Sequence, residues 1–118
     1  MGNPMDYNDQ RSQQRISVEF PATISVGTQL TVKGQLKDLS LNSAFIKIKN
    51  NIYLKINDEI GFTIQCPTND ETVEMIQGTA RISRMVPGEG FAVYFTKIDD
   101  DSLKYIKKHL QKSGLTGF

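Results

Sequence analysis

"ISVEFPATISV" (residues 16–26) alternates without a slip. Ile16, Val18, Phe20, Ala22, Ile24 and Val26 are apolar, and every residue between them is polar or proline. Successive side chains of a strand point to opposite faces, so this period of two predicts a strand with one buried face. Pro21 falls on the outward parity, where it is tolerated at an edge or a bulge.

The same pattern recurs on the C-terminal side. After a turn at Gly27-Thr28, Leu30, Val32, Gly34 and Leu36 repeat the alternation, with Lys33, Gln35 and Lys37 facing out. "DLSLNS" (38–43) interrupts as a loop between strands. "AFIKIK" resumes with Ala44, Ile46 and Ile48 on one parity. A fourth strand begins at "NDE" and carries Ile60, Phe62, Ile64 and Cys66 inward. "PTND" is a turn by composition, a longer strand follows over about 72–86, and "PGEG" leads into "FAVYF", where Phe91, Val93 and Phe95 share a face. "NIYLKI" (51–56) reads as an irregular connection. About six antiparallel strands at short spacing predict a mainly β fold, a small barrel or a sandwich.

The period then lengthens. In "DDDSLKYIKKHLQKSG" Leu103, Ile106 and Leu110 stand at helical spacing, with Tyr105 and His109 beside them. Asp99 or Asp100 caps the start, the acidic cluster lies at the positive end of the dipole, and Lys107, Lys108 and Lys112 lie toward the negative end. With Gly114 as the terminating residue, the helix is expected over about 99–113. The chain is thus expected to divide into a flexible segment, 1–15, and a β body with its helix, 16–118.

At 118 residues the chain is long enough to bury a core without disulfides or metals. Its net charge of +1 provides no strong field for DNA, RNA or anionic lipid, so any anion must be recognised locally. One cysteine, Cys66, cannot form an internal disulfide. No apolar run approaches the length of a bilayer span, and the N-terminus lacks a signal-peptide layout. The expectation is a cytoplasmic domain without membrane insertion.

Catalytic patterns are missing from the sequence. His109 is the sole histidine, on a lysine-rich helix with no ligand cluster at metal spacing, and reads as a surface or half-packed residue. Cys66 shares the inward parity of its strand and reads as a small buried apolar group. There is no Gly-rich phosphate loop, GxSxG or HExxH. No enzyme and no cofactor are expected.

Two short motifs remain. "RSQQR" (11–15) sets Arg11 and Arg15 four positions apart just before the first strand, and "DLSLNS" brings Asp38, Ser40 and Ser43 between two strands. Either alone is unremarkable, since Asp, Ser and Asn are ordinary turn residues. In order, with Asp38 following Arg15 by 23 positions, they resemble the PilZ domain family of bacterial cyclic di-GMP receptors. That family is marked by RxxxR on a flexible segment and [D/N]xSxxG between strands. "RISRMVPGEGFAVYFTKIDD" resembles its late strand pair. The resemblance implies a six-stranded antiparallel β-barrel with a C-terminal helix. It also implies binding of cyclic di-GMP by Arg11, Arg15, Asp38, Ser40 and the residue at position 43, and signalling through a downstream protein partner. The alternative within the family is a protein-interaction module with weak or no nucleotide binding.

The chemistry suits that ligand. Arginine's planar fork matches phosphate oxygens and the O6/N7 edge of guanine. A carboxylate at Asp38 can accept from the guanine N1–H and N2–H₂ groups, and Ser40 can donate to an oxygen or orient Asp38. The family's glycine is Ser43 here. Glycine permits positive φ or a close backbone approach, and Asn42, which tolerates the left-handed region, is expected to absorb part of that demand.

Overall fold

The computed structural model describes residues 14–28, 30–48 and 54–115. Among these residues six strands run in chain order: β1 (Ile16–Val26), β2 (Leu30–Leu39), β3 (Ser43–Lys47), β4 (Glu59–Pro67), β5 (Val73–Val86) and β6 (Gly90–Ile98). Helix α1 (Asp100–Lys112) follows them. All pairings are antiparallel and the order β1-β2-β3-β6-β5-β4 closes on itself. Closure decides between barrel and sandwich. β1 takes β4 as its second neighbour, with Ile24 opposite Val32 on one side and Phe62 on the other.

The inward parity fills the barrel. Ile24, Leu36, Ile46, Ile64, Ile76, Ile82, Phe91 and Val93 are all fully buried. At about 1.5–3 kcal/mol for each large aliphatic or aromatic side chain removed from water, this set is the main favourable term in folding. Gly90 keeps the wall closed where β6 meets β3: a Cβ there would lie 2.0 Å from the Ile46 carbonyl oxygen. Any side chain at that position forces the two strands apart.

β1 pairs with β4 only from Ala22 to Ser25, so its first half has β2 alone beside it. Pro21 sits at the last position before that second pairing begins, on the exposed parity the sequence indicated. The start of β1, the ends of β2 and β4, the starts of β3 and β5 and the end of β6 meet at one end of the barrel. Helix α1 leaves β6 there and packs against β5.

The helix begins as its caps predict. Asp99 Oδ1 accepts from the Ser102 N–H at 2.7 Å, and the bonds from Ser102 hold the Asp99 carboxyl below its ordinary value. Gly114 at φ 91° ends it. Ile106 and Leu110 are fully buried as expected, but Leu103 is only half-buried, and Ser102 takes the core-facing place instead. The reason is a backbone donor. β5 gains β6 as a partner only from Gly78, and the preceding Gln77 N–H donates to Ser102 Oγ at 2.9 Å. A hydroxyl satisfies that donor where leucine could not. No helix among the described residues is long and apolar enough to cross a membrane.

Candidate functional site

The site is built on a slip in the pleat. Pairing of β2 with β3 runs Gln35 to Lys47 and Leu36 to Ile46, then resumes with Asp38 to Phe45 and Leu39 to Ala44, leaving Lys37 as an extra residue. On the other side β1 slips as well, with Val18 and Glu19 opposite the single Lys37. Without the bulge, Asp38 shares the parity of Leu36 and points into the barrel. With it, Leu39 turns inward to full burial and Asp38 turns out. Lys37 itself pairs with Glu19 at 2.5 Å, which holds the Glu19 carboxyl below its ordinary value.

Strand β2 therefore continues through Leu39, and the loop expected over 38–43 shrinks to Ser40, Leu41 and Asn42. Asp38 is a strand residue, paired with Ser17 of β1. Arg15, one residue before β1, brings its Nη1 to 3.5 Å from Asp38 Oδ1, with side chains 42% and 31% exposed. Such a half-exposed pair is worth about 0–1 kcal/mol, so an incoming anion or base separates it at small cost. Arg11 lies outside the described residues.

Ser40 and Ser43 close the turn on each other. The Ser40 N–H donates to the Ser43 carbonyl at 2.9 Å, the Ser43 N–H donates to Ser40 Oγ at 3.0 Å, and the two hydroxyls lie 2.7 Å apart. The Phe95 N–H donates to the Asn42 carbonyl at 2.8 Å and ties the turn to β6. Ser40 is fully buried and bonds to Ser43 rather than to Asp38. Neither Asn42 nor Ser43 has positive φ; among the described non-glycine residues only Asn57 and Glu71 do. The left-handed backbone expected at this turn is absent, because reciprocal serine bonds supply the bend and Ser43 already lies in β3.

Two rings escaped the sequence reading. Phe45 and Tyr94 stand on the outward parity, opposite Asp38 and Ser43 respectively, with Phe45 half-buried and Tyr94 42% exposed. The signal was there in the alternation of β3 and β6, which assigns both rings to the outer wall. The result is an open rim carrying a cation, a carboxylate and two aromatic faces. It can accept a ligand that is anionic in part and planar in part.

The other titratable candidates lie elsewhere. Cys66 is fully buried, and burial with the Glu74 charge beside it pushes its thiol up to about 12, consistent with a packing role. His109 is half-packed under α1, and burial pulls its imidazole below the ordinary value. Among the described residues no group of three or more His, Cys, Asp or Glu side chains is arranged to hold a metal ion.

A family model described as PilZ domain matches residues 9–112. Comparison with curated protein sequences gives no match. Among solved structures, the chain is similar to the Bacillus subtilis inhibitor of motility MotI/DgrA, with a TM-score of 0.74 at 10% identity. That match covers 86% of this chain and 49% of the other, so the chain spans about half of that protein's length. It is also similar to the PilZ domain of CeSA from a cellulose-synthesizing bacterium, with a TM-score of 0.58 at 19% identity over 86% and 98% of the two chains. A third is the PilZ domain with c-di-GMP of YcgR from Escherichia coli, with a TM-score of 0.51 at 12% identity over 87% and 96%.

Proposed function

The chain belongs to the PilZ domain family, and from that premise we propose that it is a receptor for cyclic di-GMP that acts through a downstream protein partner rather than as an enzyme. The observation that carries the reading is the Arg15–Asp38 pair on the outward rim, held 3.5 Å apart and half in solvent. Arg15, with Arg11 ahead of it, supplies the fork for phosphate and for the guanine O6/N7 edge. Asp38 accepts from the guanine N1–H and N2–H₂ groups, and the exposed ring of Tyr94 offers a face for a base. Ser40 and Ser43 keep the turn beside Asp38 in shape through their mutual bonds. The similar YcgR structure, a PilZ domain with c-di-GMP, supports the ligand class. In this reading Arg15 leaves Asp38 for the ligand at the entry to β1, so that occupancy becomes a change of shape.

Calorimetric titration with cyclic di-GMP tests the proposal and gives stoichiometry with affinity. Saturable binding that weakens when Arg15 is removed is the expected result. A flat titration at tens of micromolar protein and excess nucleotide would leave the interaction module without nucleotide as the better reading.

A further inference from the structure

The barrel end that carries the rim also holds two buried polar atoms, Glu74 Oε1 and His109 Nε2, with no hydrogen-bond partner among the described residues. Glu74, on the inward parity of β5, stands opposite Cys66 of β4 and faces α1. Its Oε2 takes the Lys108 ammonium at 2.8 Å, while its Oε1 lies 4.0 Å from His109 Nε2. That separation is too long for a hydrogen bond, yet a displacement of about an ångström closes it. The pair therefore responds steeply to small movements of α1.

The His109 ring rests on Phe20, with centroids 5.3 Å apart and planes tilted by 56°. Phe20 is the first residue to regain β2 pairing after the bulge. Its neighbour Glu19 binds Lys37, and Lys37 adjoins Asp38. A series of contacts and chain bonds thus runs from the rim through Lys37, Glu19 and Phe20 to His109, which stands 4.0 Å from Glu74 at the seat of α1. The groups facing His109 are Phe20 from β1, Glu74 from β5, and Lys108 and Lys112 from its own helix, with the Cys66 thiol of β4 opposite Glu74. Burial lowers the proton affinity of the imidazole, the Glu74 charge raises it, and the two lysines lower it. Any change in how Phe20 covers the ring shifts that balance.

We propose that Phe20 and His109 couple the Arg15–Asp38 rim to helix α1, so that occupation of the rim alters how the helix is seated on the barrel. The identity of the rim's ligand rests on the receptor reading above, whereas the coupling can be tested without nucleotide.

Because His109 is the sole histidine, its imidazole Hε1 NMR signal is assigned without ambiguity. In the free protein titrated from about pH 7.5 to about pH 5, spanning the ordinary histidine value, the amides of residues 38–43 are expected to follow the His109 midpoint. In Phe20→Leu they cease to follow while the imidazole still titrates. If that variant does not fold, His109→Gln serves instead and abolishes the pH response at 38–43. By linkage, saturating cyclic di-GMP shifts the proton affinity of His109 by about threefold or more in the parent protein. Amides at 38–43 that ignore the His109 midpoint, or that follow it equally in Phe20→Leu, overturn the coupling even if nucleotide binds. Amides that follow the midpoint in a protein with no affinity for cyclic di-GMP uphold the coupling and remove the receptor reading.

Discussion

Arg15 and Asp38 meet in solvent, and that exposure separates their part in folding from their part in recognition. The pair stabilises the fold by about 0–1 kcal/mol, so Arg15→Ala is expected to leave the urea midpoint almost unmoved. Charge-assisted hydrogen bonds to a ligand are worth about 1.5–3 kcal/mol each, so the same substitution should weaken cyclic di-GMP binding roughly tenfold to a hundredfold by calorimetry. Asp38→Ala should lose affinity together with preference for guanine, since adenine lacks the N1–H and N2–H₂ donors. Equal affinity of the parent protein for cyclic di-GMP and cyclic di-AMP would take base reading away from Asp38. Ser43 calls for a different expectation. Its φ is not positive and its hydroxyl lies 2.7 Å from Ser40 Oγ, so glycine there relieves no strain. Ser43→Gly removes a hydrogen bond and adds backbone freedom inside a strand, and should lower unfolding stability by about 1–2 kcal/mol. A stability unchanged in urea would mean that the serine pair contributes nothing to the turn.

At the scale of elements, one inserted residue aims the site. Lys37 has no register partner in β3, and this shift turns Asp38 out while Leu39 turns in. Deleting Lys37 restores a regular ladder with β3, leaves Val18 and Glu19 of β1 with nothing opposite them, and undoes that arrangement. Either Asp38 rotates into the apolar interior or Leu39 rotates into solvent. Exposing a buried leucine alone costs about 1.5–3 kcal/mol, so the deletion should both destabilise the barrel and abolish nucleotide binding. Lys37→Ala keeps the register, loses only the exposed pair with Glu19, and should retain most of the stability. Similar losses in urea for the two variants would show that the charge, rather than the bulge, is what matters at this position.

For the whole molecule, the pH dependence of stability follows from what α1 covers. Burial lowers the proton affinity of His109 in the folded state, whereas the unfolded chain takes up that proton near the ordinary value of 6.5. Below about pH 6.5 the unfolded state therefore binds more protons, and stability falls as pH falls until the folded imidazole is protonated too. The carboxyls of Glu19, Asp70 and Asp99, all held below their ordinary values of 4.5, 3.8 and 3.8, add to the loss only at more acid pH. Urea unfolding should accordingly show lower stability at about pH 5.5 than at about pH 7.5, and His109→Gln should flatten that difference. A parent protein equally stable at both values would mean that the imidazole is more open to water than its packing against Phe20 implies.

The alternation from Ile16 to Val26, repeated along the chain, determined the strands and the face each buries, because the period of two is a local property of the backbone. The helix was equally legible: Asp99 and Gly114 mark its ends and Ile106 and Leu110 its buried stripe. The motif residues Arg15 and Asp38 were legible as candidates, and the tertiary structure brings them together across 23 positions. Outward aim was another matter. Read by parity from Leu36, Asp38 faces the core, and only the pairing of β2 with two neighbours, slipping at Lys37 on both sides, turns it to solvent. Likewise the contact of Phe20 with His109 and the 4.0 Å gap to Glu74 join β1, β5 and α1. Register between strands and the seating of a helix on a barrel are set by side chains far apart in the chain, so no local pattern contains them.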